Sequence, residues 1–131
     1  MATRMTPEVD TLRREIQGKY TEVATNPERT FHFHHGRPLA QILGYPMDQV
    51  DAMPAGAVES FAGVGNPFSL GPFQPGETVL DLGSGGGFDC FIAGQSVGPA
   101  GRVIGVDMTD AMLARSRATA REMGLDQVEF R

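Results

Sequence analysis

The chain has 131 residues, of which 40% are hydrophobic, 21% charged and 17 are glycine; this is about one domain's length in an ordinary globular mixture, not a disordered or fibrous one. Eleven basic against sixteen acidic residues leave a net charge of −5, which argues against a surface for nucleic-acid phosphates, and a single cysteine, Cys90, excludes an internal disulfide or a cysteine-built zinc site in one chain. No apolar run nears the roughly 20 residues of a bilayer span, and Met1 to Pro7 runs directly into charged sequence, so the expectation is a cytoplasmic protein with no secretory signal and no membrane contact.

Residues 1–75 are broken by prolines at 7, 27, 38, 46, 54, 67, 72 and 75 and read as a helical lead-in or cap. A first helix starts at Thr6 with Pro7 at its first position. Val9, Leu12, Ile16, Tyr20 and Val23 form one apolar stripe along it, and Asn26-Pro27 stops it. Arg13, Arg14 and Lys19 read as its solvated face. Phe31-His32-Phe33-His34-His35-Gly36 follows. Its alternation puts His32 and His34 on one side of an extended segment, which suits either a loop lidding a ligand site, with Tyr20 and Arg37 as neighbours, or a metal site lacking a third ligand. A short helix fits Pro38 to Leu43 with Gly44 as its stop, Pro46 and Pro54 open two more, and residues 63–76 are a glycine- and proline-rich connection.

Residues 76–131 change texture. Thr78-Val79-Leu80-Asp81-Leu82 is a short apolar run between turn signals, the pattern of a buried parallel strand. Phe88 to Val97 suits a helix stopped by Gly98, and Val103 to Val106 is a second strand ending at Asp107. Thr109 caps a helix through Met123, Gly124 ends it, and Gln127 to Phe130 begins a third strand. Strand, helix, strand, helix, strand predicts right-handed crossovers and a parallel α/β sheet.

The segment from Val79 to Gly87 is a glycine loop between a strand and a helix N-terminus. Glycines there permit positive φ and close ligand approach, and the free N–H groups favour a negative group. Asp81 inside the strand end would repel a pyrophosphate and suits a ligand carrying an ammonium or sulfonium. The spacing Gly83-x-Gly85-x-Gly87 departs from the dinucleotide fingerprint, which wants glycine or alanine where Phe88 stands. Asp107 closes the second strand, twenty positions after Gly87, where an acid accepts hydrogen bonds from ribose hydroxyls; Met108 beside it suits an adenine face. The plain alternative is a tight strand–helix turn followed by an ordinary acid.

Asp81-Leu82-Gly83-Ser84-Gly85-Gly86-Gly87 and Asp107 resemble the first motif and the ribose acid of class I S-adenosylmethionine-dependent methyltransferases. Phe88-Asp89-Cys90-Phe91, Gly105-Val106-Asp107-Met108-Thr109, and Phe61-Ala62-Gly63-Val64-Gly65-Asn66-Pro67 are similar to segments of the arsenite methyltransferase branch. The resemblance implies a three-layer Rossmann-like parallel sheet, here with strands 1–3 only, and S-adenosyl-L-methionine as cofactor. It implies cofactor contacts from Asp81, Gly83, Ser84, Gly85, Gly87, Asp107 and Met108, and a small-molecule acceptor.

Displacement at a sulfonium methyl needs a lone pair held about 3–3.5 Å behind it and water excluded. As(III) carries its own lone pair, so its site needs soft thiolates more than a base. Val64 replaces one of the cysteines that the resemblance implies. Cys90 is the one candidate thiol ligand, its alternative being a small buried hydrophobe, and no catalytic residue beyond it is assigned. The enzymatic alternative is therefore a methyltransferase for a small organic acceptor. A nicotinamide-dependent oxidoreductase and a non-catalytic binding module completed by a partner are the readings from other classes. Strands 4–7 are absent from the pattern, which suggests a truncated methyltransferase with an exposed apolar edge on its first strand, open to self-association.

Overall fold

The computed structural model describes residues 8–25 and 34–131. The expected helix start at Thr6 and Pro7, its stop at Asn26-Pro27, and the segment Phe31–Phe33 with His32 lie outside these residues.

Four helices come first: α1 (Val9–Thr25), α2 (Gly36–Ile42), α3 (Met47–Asp51) and α4 (Ala55–Glu59). The lead-in prolines act one position earlier than the sequence suggests. Pro46 and Pro54 are N-caps with extended ψ, not first helical residues, and α2 begins two residues ahead of Pro38. A 3-10 turn, Pro67–Leu70, is capped by Asn66, whose side chain accepts from the Phe68 N–H.

The second part alternates β1 (Thr78–Leu82), α5 (Phe88–Val97), β2 (Arg102–Val106), α6 (Asp110–Glu122) and β3 (Val128–Phe130). The three strands are parallel in the order β1-β2-β3, with Val79 opposite Val103 and Val103 opposite Val128. Side-chain alternation makes one face of Val79, Asp81, Val103, Gly105, Val128 and Phe130, and α5 packs there. Gly105 has no room for a β-carbon, which would stand 2.7 Å from Phe130 and 2.9 Å from the Cys90 sulfur of α5. The glycine is what lets helix and sheet approach this closely. On the other face, Leu80 and Leu82 are 61% and 75% exposed, and β1 has a neighbour on one side only among the described residues.

The core joins both parts. Phe91, Ile92, Val97, Val103, Met112 and Val50 of α3 are almost wholly buried. Tyr45, after α2, meets Phe61 and Phe88 edge-on at 5.2 and 5.0 Å, and Phe61 stacks on Phe88 at 4.0 Å. Such aromatic contacts add about 0.5–1.5 kcal/mol each beyond area burial, so they hold the lead-in firmly against the start of α5. By contrast, the apolar stripe of α1 is only half covered: Val9, Leu12, Ile16 and Tyr20 remain substantially exposed. The helix rests on α6, and Gln17 donates to the Met108 carbonyl at 3.1 Å. No helix among the described residues is long and apolar enough to cross a membrane.

Candidate functional site

A cavity of about 890 Å³ opens at the C-terminal ends of β1 and β2, the position where open parallel sheets bind ligands, and its volume falls in the range of small-molecule sites. The glycine loop forms one wall, the loop after β2 another, and residues 60–67 a third, with Tyr20 of α1 and Met112 of α6 completing it.

The loop's conformation follows from its glycines. Gly83, Gly85 and Gly87 have φ of +77°, +58° and +92°, a region that costs other residues roughly 1–2 kcal/mol. Gly83 and Gly85 present their backbone to open space, whereas a β-carbon on Gly87 would lie 2.7 Å from Phe91 and 2.8 Å from Phe130. Gly83 and Gly85 therefore leave room for a ligand, and Gly87 leaves room for the core. Gly87 is the N-cap of α5 and is not part of the cavity wall.

Asp107 ties the two loops together. Its Oδ2 accepts the Gly85 N–H at 2.9 Å and its Oδ1 accepts the Thr109 N–H at 2.8 Å. Thr109 is the N-cap of α6, but its side chain makes no capping bond; the Asp107 carboxylate instead holds the backbone N–H of the cap residue itself. Each oxygen retains acceptor capacity toward the cavity, which Met108, half exposed, also lines. Ser84 lines it too, and its Oγ is buried without a hydrogen-bond partner among the described residues. A buried hydroxyl left unmatched costs roughly 1–3 kcal/mol, and a polar ligand group would relieve that cost. Open glycine backbone, an orphaned hydroxyl and a ribose-type acid on one cavity fit a nucleoside-bearing cofactor.

Of the residues singled out in the sequence, Asp81, Gly83, Ser84, Gly85, Asp107 and Met108 line this cavity, and Gly87 and Cys90 do not. Cys90 is wholly buried, and its thiol donates to Asp81 Oδ2 at 3.3 Å. Burial and the adjacent Asp81 carboxylate push the thiol's pKa well up, the opposite of what a thiolate ligand requires. The folded chain should therefore react with Ellman's reagent at least about 100-fold more slowly than the urea-unfolded chain. Comparable rates in the two states would return Cys90 to the ligand candidates. Val64, in contrast, lines the cavity with a fully exposed side chain.

Sequence reasoning missed Asp89 and Tyr45. Asp89, in the first turn of α5, lines the cavity. The Tyr45 hydroxyl donates to its Oδ1 at 2.6 Å and lies 3.0 Å from the Gly65 carbonyl. Burial pushes the Asp89 carboxyl up to about 6, opposed by the Tyr45 hydrogen bond and assisted by Asp81. Asp81 is raised mainly by burial as well, with the Cys90 thiol opposing and Asp107 assisting. The signal in the sequence was an acid directly before Cys90 on an otherwise apolar helix start.

Other candidates lie elsewhere. Arg37 makes a two-pronged exposed pair with Asp51 at 3.0 and 3.1 Å and takes no part in the cavity wall. His34 is exposed. His35 is the N-cap of α2, with Nδ1 3.1 Å from the Glu59 carbonyl.

Residues 73–131 match the family described as "Methyltransferase domain". An arsenite methyltransferase of Halobacterium salinarum is 52% identical over 89 residues, 68% of this chain and 22% of that protein. A nocamycin O-methyltransferase of Saccharothrix syringae is 41% identical over 58 residues, 44% of this chain and 21% of that protein. The crystal structure of an arsenic(III) S-adenosylmethionine methyltransferase from Chlamydomonas reinhardtii matches with a TM-score of 0.57 and 35% identity, over 64% of this chain and 30% of that one. The chain thus spans about a fifth of the length of these curated relatives.

Proposed function

We propose that the chain, whose residues 73–131 match a methyltransferase-domain family, binds S-adenosyl-L-methionine in the cavity at the ends of β1 and β2. It supplies the cofactor-binding part of a methyltransferase for a small acceptor. Residues 76–131 form the binding unit and residues 1–75 its cap. The observation that carries this reading is the meeting of Asp107, the open Gly83–Gly85 backbone and the unmatched Ser84 hydroxyl on one cavity.

The cofactor contributes an electrophilic methyl on a sulfonium. The chain contributes position and electrostatics. Asp107 accepts the ribose hydroxyls and Met108 packs on the adenine. Asp81 sits near the methionine end with the backbone of Gly83 and Gly85, and Ser84 gains the partner it lacks. Phe61, Phe88 and Met112 add apolar surface beside the wall's carboxylates, which favours the exclusion of water that displacement at a methyl requires.

Similarity to the Halobacterium and Chlamydomonas proteins supports arsenite as the acceptor. Val64 on the cavity wall, with the one thiol buried behind Asp81, favours a second reading, a small organic acceptor. Calorimetric titration with S-adenosylmethionine should give one binding event near the micromolar range, about −8 kcal/mol; no heat and no competition by its thioether product would overturn the reading. With arsenite and glutathione added, methylated arsenic seen by mass spectrometry supports the arsenite acceptor. Bound cofactor without that product supports the organic one.

A further inference from the structure

Among the described residues, the cavity wall carries three carboxylates, Asp81, Asp89 and Asp107, and no lysine or arginine. An acidic wall alone would say little, because carboxylates are tolerated wherever water reaches them. Here Ser84, a residue more than nine-tenths buried, lines the same space, and its Oγ has no partner among the described residues; a buried polar group left unmatched beside a cavity points to a polar ligand. Asp89 is the carboxylate that the glycine-loop motif does not account for. It is anchored by a 2.6 Å hydrogen bond from Tyr45, itself fixed between Phe61 and Phe88. A carboxylate so held cannot swing away to solvent when a ligand enters.

We propose that Asp89 makes this cavity discriminate by charge, holding the sulfonium form of an adenosyl amino acid in preference to its neutral thioether, with Tyr45 as the positioning residue. The inference rests on the reading of the cavity as an S-adenosylmethionine site. S-adenosylmethionine and S-adenosylhomocysteine share adenine, ribose and the amino-acid tail. They differ by one methyl and one positive charge, so the ratio of their affinities reports the charge of the wall. The consequence for function is that the spent cofactor leaves more readily than the fresh one.

The titratable groups facing Asp89 among the described residues are Tyr45 from the turn after α2, Asp81 from β1 and its neighbour Cys90 on α5. None is a cation, so a ligand's positive charge is the counter-charge that the carboxylate lacks. Burial raises Asp89 to about 6. The carboxylate is therefore mostly ionised at pH 7 and mostly protonated at pH 5. Linkage requires the converse: a bound sulfonium lowers the Asp89 pKa and releases a proton near pH 6, and the neutral thioether does not.

The test is calorimetry of both ligands on the full chain at pH 7 and pH 5, in two buffers of different ionisation heat. The expected result is an affinity ratio, sulfonium over thioether, that falls about tenfold from pH 7 to pH 5, since an opposite charge within about 4–6 Å is equivalent to one or more pH units. Proton release should accompany sulfonium binding alone. Asp89→Asn should reduce the ratio at pH 7 to its pH 5 value and abolish its pH dependence. Tyr45→Phe removes the bond that lowers the Asp89 pKa, and should move the midpoint of the pH dependence upward, a shift that simple loosening would not produce. Binding of both ligands with a ratio insensitive to pH and to Asp89→Asn overturns the inference alone. Failure of both ligands to bind at either pH overturns the cofactor reading and the inference with it.

Discussion

Gly87→Ala is expected to destabilise the chain by about 3–5 kcal/mol, the largest stability effect of any single glycine in the loop. Two costs add. A non-glycine residue held at φ +92° carries roughly 1–3 kcal/mol of backbone strain. The new methyl would also meet Phe91 at 2.7 Å and Phe130 at 2.8 Å, and overpacking of this kind costs about 1–3 kcal/mol. Neither ring can yield cheaply. Phe91 is wholly buried, Phe130 is 5% exposed, and the two are already packed edge-on at 5.7 Å. Against a total stability of about 5–15 kcal/mol for a domain, such a loss approaches unfolding. Gly83→Ala is the matched control. It has positive φ and empty space around the β-carbon, so it should lose only about 1–2 kcal/mol of stability while weakening cofactor binding. Urea denaturation followed by circular dichroism reads both, and a loss below about 1 kcal/mol for Gly87→Ala would show that the loop's third glycine serves the ligand and not the core.

That contrast explains how much the sequence could say. Three glycines at alternate positions after an apolar strand imply a ligand loop, and two of them do face the cavity. The third does the same backbone work for a different reason, which depends on Phe130, forty-three positions away (130 − 87) on β3. Non-local contacts of this kind carry no local signature. The strand and helix alternation of residues 76–131 was legible because the strands and α5 are short apolar runs and glycines mark the turns at 83–87, 98–101 and 124, and the parallel direction of the strands follows from the helical crossovers between them. The lead-in was less legible. The stripe of α1 has the period of a buried face, yet Val9, Leu12, Ile16 and Tyr20 stay substantially exposed, because periodicity reports a face without reporting what covers it. Tyr45 and Asp89 escaped notice for a similar reason. They lie 44 positions apart, and neither the end of a short helix nor an acid in a helix's first turn is unusual alone.

Asp107→Ala should raise the dissociation constant for S-adenosylmethionine about 100-fold or more. A hydrogen bond to a charged group is worth roughly 1.5–3 kcal/mol, and a ribose offers two hydroxyls to one carboxylate. The same carboxylate holds the site open before any ligand arrives, through the Gly85 and Thr109 N–H groups. Removing it orphans both donors, lets the glycine loop relax away from the loop after β2, and should cost about 1–2 kcal/mol of stability besides. Loss of affinity alone would therefore be ambiguous between contact and scaffold. A ligand change resolves it. With the wild-type chain, the 2′-deoxy analogue of S-adenosylmethionine should bind about tenfold or more weakly than the parent, because one charge-assisted bond is missing. With Asp107→Ala, the analogue and the parent should bind alike, since the acceptor of that bond is gone. If the wild-type chain does not distinguish the two ligands, Asp107 is a brace between β1 and β2 loops and the ribose is held elsewhere.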